Sequence, residues 1–394
     1  MQVPLLDLKL QYQGLRDQIR VEVDQIMDSQ YFIGGPKVEA FERAVCEYTG
    51  AAHAIGVTSG TDALLIALMA LGIGAGDAVV TTPYTFFATA GSIARVGAAS
   101  VFIDIDPQTY NLSVPALRRY LEGCSKNAEG QLVSHAGQTI RAIMPVHLYG
   151  LCCAMDELLE VAAQYGLPVI EDSAQALGSA YPSKKGEGRA GAMGDFGCYS
   201  FFPSKNLGAF GDAGMVVCKD AAMAEKLRAL RNHGGERRYF HKMIGGNFRI
   251  DALQAAVLSI KLPHLDSWSA MRRTNAALYR EGFAQTGLDK ILTLPTEPYA
   301  ASGLANQHIF NQFVVRAPRR DELCAHLTKA EIGNAIYYPL PLHLQECFAY
   351  LGYKQGDFPE AERAALETIA LPIFPELTPE QIRAVVEAIA AFYR

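Results

Sequence analysis

The amino-acid sequence predicts an α/β protein: a large unit built on a mostly parallel sheet, followed by a smaller α+β unit. Three observations carry that expectation. Over the first two-thirds of the chain, short apolar runs alternate with helix-period segments. The runs are short and mostly apolar rather than alternating, as expected for strands covered on both faces. Composition then shifts after about Leu253, and at 394 residues the chain exceeds one core of ~100–200 residues. The expected units are 1–253, including the N-terminal segment, and 254–394.

The strand-like runs are Ala54–Val57, Ala78–Thr82, Ala99–Ile103, Ala142–Val146, Pro168–Glu171, Gly197–Phe202 and Gly214–Cys218. Between them, Val38–Tyr48, Asp62–Leu71, Ala154–Tyr165 and Ala221–Asn232 carry helical periodicity. The second unit opens with a long amphipathic stretch, Asp251–Leu262 then Asp266–Thr286. A Pro-containing turn at Leu294–Tyr299 follows, then a strand pattern at Phe310–Val315 and a final helix at Pro379–Tyr393. Gly123–Gly137 is polar and aperiodic and reads as a solvated loop.

Bulk composition excludes several classes. Lys+Arg 35 against Asp+Glu 41 gives a mildly acidic chain, unlike the basic surface that meets a phosphodiester backbone, so no nucleic-acid partner is expected. No apolar stretch reaches the ~18 residues of a membrane span, and the first residues lack the layout of a signal peptide. The eight cysteines show no Cys-x-x-Cys pair, and the nine histidines no metal-ligand spacing. The sequence therefore predicts a soluble, cytoplasmic protein with reduced thiols, no metal site and no membrane contact.

Four segments carry chemistry. Thr58-Ser-Gly-Thr-Asp-Ala starts a helix after a strand, where small residues let a phosphate approach unpaired N–H groups; an ordinary cap by Ser59 or Thr61 is the plainer explanation. Pro83-Tyr-Thr-Phe-Phe-Ala-Thr sets Phe86 and Phe87 beside small residues after another strand, although paired phenylalanines are mostly core residues. In Pro168-Val-Ile-Glu-Asp-Ser-Ala-Gln, Asp172 ends an apolar strand, the place where ligands collect in open α/β sheets. A carboxylate there needs a cation, or else serves as a helix cap. Finally, Tyr199-Ser-Phe-Phe-Pro-Ser-Lys-Asn-Leu-Gly puts Lys205 in an apolar, Gly-rich turn between two buried strands. Lysines favour solvated faces, and a desolvated one has the lowered pKa that suits Schiff-base chemistry.

In this order the segments resemble the DegT-type nucleotide-sugar aminotransferases, a branch of the fold-type I pyridoxal 5'-phosphate (PLP) enzymes. The resemblance spans Ser59-Gly-Thr-Asp-Ala-Leu, Thr85-Phe-Phe-Ala-Thr, His147-Leu-Tyr-Gly, Glu171-Asp-Ser-Ala-Gln, Ser200-Phe-Phe-Pro-Ser-Lys, Gly246-Asn-Phe-Arg-Ile-Asp-Ala-Leu-Gln and Tyr338-Pro-Leu-Pro-Leu-His. It implies a mostly parallel seven-stranded sheet in the large domain. Lys205 is then the Schiff-base lysine, Asp172 the partner of the pyridinium, and Phe86 a ring-stacking residue. Gln175 lies near the ring hydroxyl, and Gly60, Thr61 and Ser200 hold the phosphate. Asn247 reaches the phosphate from a neighbouring subunit, which implies a homodimer with shared sites. Arg249 faces the substrate, with Tyr31, Tyr337, Tyr338 and His343 as further sugar-pocket candidates. Many relatives carry His where this chain has Tyr337, which detaches its sugar preference from theirs.

The implied reaction moves an amine from an amino acid, glutamate by expectation, to a nucleotide-linked 3- or 4-keto sugar, with pyridoxamine phosphate between the two halves. Alternatives are a dehydratase of the same fold, in which His replaces the lysine; a non-catalytic regulatory PLP-binding protein; and an enzyme acting on free amino acids, for which Arg316, Arg319 and Arg320 would be the carboxylate ligands. Those three arginines read as an exposed turn before a helix. The cationic stretch Arg228–Lys242 is either a diphosphate contact or a solvated helix end.

Overall fold

The computed structural model describes residues 1–237 and 239–394. Seven strands form the large sheet: β1 (His53–Val57), β2 (Asp77–Thr81), β3 (Ala99–Phe102), β4 (Thr139–Ile143), β5 (Ile170–Asp172), β6 (Phe196–Ser200) and β7 (Gly214–Cys218). Their order is β1-β7-β6-β5-β4-β2-β3, the join between β4 and β5 being made by parallel bridges Ile143–Val169 and Val146–Asp172. Only β7 runs antiparallel to its neighbours, β1 and β6. The seven expected runs are therefore the seven strands, and the expected sheet is borne out.

Helices cover both faces. α1 (Leu8–Ser29) and α2 (Pro36–Thr49) pack with α8 (Ala252–Lys261) over one face, where the Phe41 and Phe201 rings meet edge to face at 5.3 Å. On the other face α3 (Gly60–Ala70) is apolar nearly all round, with Ala63 through Leu68 buried, as a helix enclosed on every side must be. α4 (Ala88–Arg95), α5 (Val114–Glu122), α6 (Met155–Tyr165) and α7 (Ala221–Arg231) complete the layers.

A second core lies around an antiparallel pair, β8 (Phe313–Arg316) and β9 (Thr368–Leu371), with α10 (Arg320–Lys329), α11 (Pro359–Glu367) and α12 (Pro379–Tyr393) nearby. α12 starts on a reciprocal cap between Thr378 and Gln381, with Pro379 at its first position. The long helix α9 (Leu265–Thr286) joins the two cores: Leu265 and Trp268 belong to the first, Ala276, Tyr279 and Phe283 to the second. Val3 also lies in the second core, bridged to Ile332.

Gly123–Gly137 is not the irregular loop expected. Ser125–Lys126 and Leu132–Val133 pair as a hairpin that continues to β4 through Val133–Thr139, and Leu132 is buried. Two short strands give too few residues for a period to show. The thiols are free, four of them buried.

Two glycines seat α3 on the sheet. A Cβ on Gly214 would lie 2.3 Å from the Ser59 carbonyl, and one on Gly60 would lie 2.6 Å from Ser200 Cβ. The helix start is thereby pressed onto the ends of β6 and β7. Gly214→Ala should lower the stability of the apoprotein by about 1–3 kcal/mol or more, because backbone rather than a mobile side chain must yield. Chemical denaturation of the variant, with an unchanged midpoint as the contrary result, checks this.

Candidate active site

The segments at the carboxyl ends of β2, β5 and β6 meet: Thr89 bonds Asp172, and Asp172 and Lys205 interact electrostatically. Asp172 closes β5, its backbone tied to β4's extension by Asp172 N–H to the Pro145 carbonyl (2.8 Å) and His147 N–H to the Asp172 carbonyl (3.0 Å). Its side chain is 4% exposed; Oδ2 accepts from Thr89 Oγ1 at 2.7 Å and Oδ1 from Ala174 N–H at 3.2 Å. The local cap foreseen for Asp172 is thus present, but it turns the chain at Ser173–Ala176 rather than starting a helix. Burial pushes the Asp172 carboxyl up, while Thr89, Ala174 N–H, Lys205 and His147 pull it down.

Lys205 follows β6 in a tight turn, its N–H bonded to the Phe202 carbonyl at 2.9 Å. Its amine is pushed down to about 8 by burial, with the Asp172 charge opposing that fall. Lysine and carboxylate, expected from separate segments, are therefore electrostatic neighbours. Ser59 caps α3, its Oγ accepting from Asp62 N–H at 3.1 Å, so the plain capping explanation holds for Ser59. The N–H groups of Gly60 and Thr61 belong to the first helical turn, which has no carbonyls behind it, and Gly60 packs against Ser200.

Gln175 is buried, with Oε1 accepting from Tyr149 N–H (2.7 Å) and Nε2 donating to Tyr338 Oη (3.1 Å). The second Nε2 hydrogen is left for another acceptor. Phe86 is 56% exposed and leans on the Tyr338 ring at 6.1 Å, while Phe87 stacks on Phe348; neither is the core phenylalanine that composition favours. The Tyr337 carbonyl accepts from Tyr84 Oη at 2.8 Å and from Tyr149 Oη, which fastens the 337–338 segment to the large sheet.

Other candidates line a second cleft or are packed, although Arg249 is bridged to Val57 at the end of β1. Tyr31 and Arg249 line a different cleft of about 570 Å³ with Arg228, Arg231 and Asn232; Lys205 and Asp172 are not among its lining residues. Arg249 donates to Asn232 Oδ1 at 2.7 Å, and exposed Asn247 lies next to it, bridged to Asn232. Arg238 of the cationic stretch lies outside the described residues. His343 is buried and bonded to Glu362 Oε1 at 3.0 Å, against the Phe358 ring.

The alternative carboxylate ligands are engaged elsewhere. Arg316 and Arg320 are buried rather than exposed: Arg316 bonds Tyr110 Oη and the Pro107 carbonyl, and Arg320 bonds Asp321 and the Thr368 carbonyl. Arg319 pairs with Glu322 on the surface.

Sequence reasoning quoted Thr89, His147 and Glu171 within motifs but gave none of them a role. Glu171, fully buried, accepts from His147 Nε2 (2.8 Å) and from the N–H groups of Gly191 and Met193 (each 2.8 Å) and Gly194. His147 Nδ1 accepts from Cys153 N–H at 3.1 Å, so the ring proton sits on Nε2 and points at Glu171. The sequence signals were the quoted segments that contain these residues and an acidic pair, Glu171-Asp172, whose members must face opposite sides of a buried strand.

Fold and neighbours define the class: an α/β enzyme of the PLP-dependent aminotransferase type. The chain belongs to the DegT/DnrJ/EryC1/StrS aminotransferase family, whose model matches residues 14–390, and this family is PLP-dependent. It is 47% identical over its full length to a pleiotropic regulatory protein of Geobacillus stearothermophilus, covering 99% of that protein. It is 42% identical over 96% of its length to a UDP-N-acetyl-3-dehydro-alpha-D-glucosamine 3-aminotransferase of Acidithiobacillus ferrooxidans, covering 95% of it. Among solved structures it resembles Streptomyces venezuelae DesV in complex with a ketimine intermediate, with a TM-score of 0.89 and 37% identity over 99% of this chain and 98% of that one.

The Lys205 amine should titrate in the apoprotein with a midpoint near 8, so that its reductive methylation rises through that pH and levels off above it. Asp172 raises the amine pKa, so Asp172→Asn should move the midpoint to lower pH. A midpoint near the ordinary lysine value of about 10.4 would contradict the burial described.

Proposed function

We propose that this protein is a PLP-dependent aminotransferase that transfers an amine from L-glutamate to the C3 ketone of a nucleotide-linked sugar. The observation that carries the reading is the desolvated Lys205 amine in electrostatic reach of the buried Asp172 carboxylate at the carboxyl edge of the sheet. The names of relatives, 3-amino-sugar transaminases among them, favour C3 over C4.

The residues fit the cofactor. Gly60 and Thr61 N–H groups with Ser200 Oγ form a cradle for a phosphate, kept open because a Cβ at Gly60 would strike Ser200. Asp172 supplies the anion for a ring N–H, Gln175 a spare amide hydrogen for the ring hydroxyl, and Phe86 an exposed aromatic face. When bound, PLP supplies the electron sink for the substrate's carbanion. Lys205 Nζ, about a tenth neutral at pH 7 with its midpoint near 8, holds the cofactor and then takes and returns the substrate's proton. Tyr338, with its hydroxyl fixed by Gln175, and Tyr337 form the wall next to the sugar. No described contact draws His343 toward the pocket, and its bond to Glu362 supports a packing role.

Tyr31 and Arg249 line a cleft whose lining does not include Lys205, and with exposed Asn247 beside Arg249 this supports a homodimer in which each chain completes the other's site. The relative named a pleiotropic regulatory protein raises a second reading, a PLP-binding regulator; the lowered Lys205 pKa favours chemistry.

The purified protein should show a visible cofactor band that Lys205→Ala lacks and that L-glutamate converts to a pyridoxamine-type spectrum, after which UDP- and dTDP-linked 3-keto sugars should restore it. A band indifferent to every amino donor would favour the regulator. Mixing inactive Lys205→Ala and Asn247→Ala subunits should recover about a quarter of wild-type activity, the share expected when half the dimers carry one intact site. No recovery after verified subunit exchange would place Asn247 in its own chain's site.

A further inference from the structure

Asp172 is not merely buried; it is held. Thr89 is fully buried on the first turn of α4, and its hydroxyl donates to Asp172 Oδ2 at 2.7 Å. Behind it, buried Thr85 places its own hydroxyl 3.1 Å from Thr89 Oγ1. A carboxylate can only accept, so the single Thr89 proton is committed to Asp172 and the Thr85 hydroxyl must donate to Thr89. The relay therefore has one direction, Thr85 to Thr89 to Asp172. The opposite oxygen, Oδ1, carries one longer contact, from Ala174 N–H at 3.2 Å, and has acceptor capacity left.

We propose that Thr89, backed by Thr85, is a positioning residue that pins Asp172 Oδ2 and thereby aims Oδ1 at a cationic ring nitrogen. The inference rests on the assignment of this pocket to PLP. A threonine used only for packing is replaceable by the nearly isosteric valine, whereas a hydroxyl that orients a buried carboxylate is not, because charge-assisted hydrogen bonds are about twice as strong as neutral ones. The hydrogen bond from Thr89 is also the largest influence opposing the burial that favours the neutral acid.

The test is PLP titration of the apoprotein, followed by absorbance, for wild type, Thr89→Val, Thr89→Ser, Thr85→Val, Asp172→Asn and the Thr89→Val/Asp172→Asn double variant. Thr89→Val should raise the PLP dissociation constant about tenfold, a typical loss for one hydrogen bond to a charged group. Thr89→Ser should return it to near the wild-type value. In the Asp172→Asn background Thr89→Val should add little, since the two residues act through one interaction. Wild-type affinity in Thr89→Val, equal losses in the valine and serine variants, or the same factor in the Asp172→Asn background would each overturn the proposal. Thr85→Val leaves Thr89 in place and serves if the Thr89 variant does not fold: a smaller rise in the same direction supports the relay, and no change overturns it. Wild-type protein that takes up no PLP overturns the assignment of the pocket itself, and is told apart from the other outcomes because every variant then fails alike.

Discussion

A charge taken out of water at the end of a central strand is the constraint around which this molecule is arranged. Asp172 lies between β4 and β6, where an uncompensated carboxylate would cost several kcal/mol. It is made tolerable by Thr89, Ala174 N–H and the nearby Lys205 amine. Lys205 is itself made reactive by the same burial, and Asp172 limits how far its pKa falls. Each group thus moderates the effect of burial on the other. That mutual dependence produces a lysine that is partly neutral near physiological pH beside a carboxylate with an acceptor to spare.

The surroundings are rigid where this pair needs support. One residue upstream, Glu171 points the other way and gathers His147 and three backbone N–H groups, locking the strand from beneath. The turn after Lys205 is held from α8: Lys261, buried, donates to the Gly208 carbonyl at 2.7 Å, and Gln254 accepts from Phe210 N–H at 2.8 Å. Close approaches at Gly60 and Gly214 press the α3 N-terminus against the same strand ends. Pre-organisation of this kind, on strands and helix ends rather than on free loops, is what positions a cofactor to within a fraction of an ångström.

Tyr337, Tyr338 and Thr368 are tied to the surroundings of Asp172 through hydroxyls. Tyr84 and Tyr149 from the large sheet both reach the Tyr337 carbonyl, Tyr84 also meets Thr368, and Gln175 holds Tyr338. The wall nearest the proposed sugar is therefore supplied by a segment more than 130 residues downstream of Lys205 and fastened to it by a buried polar network.

The sequence by itself determined the seven strands, because each is a short, mostly apolar run with few other ways to bury itself, and it exposed Lys205, because a lone lysine in an apolar Gly-rich turn is unusual for a residue that favours solvated faces. It also marked Asp172, as a carboxylate where an apolar strand ends. Tertiary structure alone decided the rest. Thr89 is an unremarkable residue until folding sets it 2.7 Å from a carboxylate 83 positions away. The hairpin at Ser125–Val133 is too short for a period, and Val3 joins a core formed mainly by residues beyond Phe310 and by α9. The division of the candidates between the Lys205 pocket and the Tyr31–Arg249 cleft was equally illegible. The physical reason is the same throughout: local pattern records which face of an element is buried, whereas a functional pair is made by groups whose meeting depends on how distant elements pack.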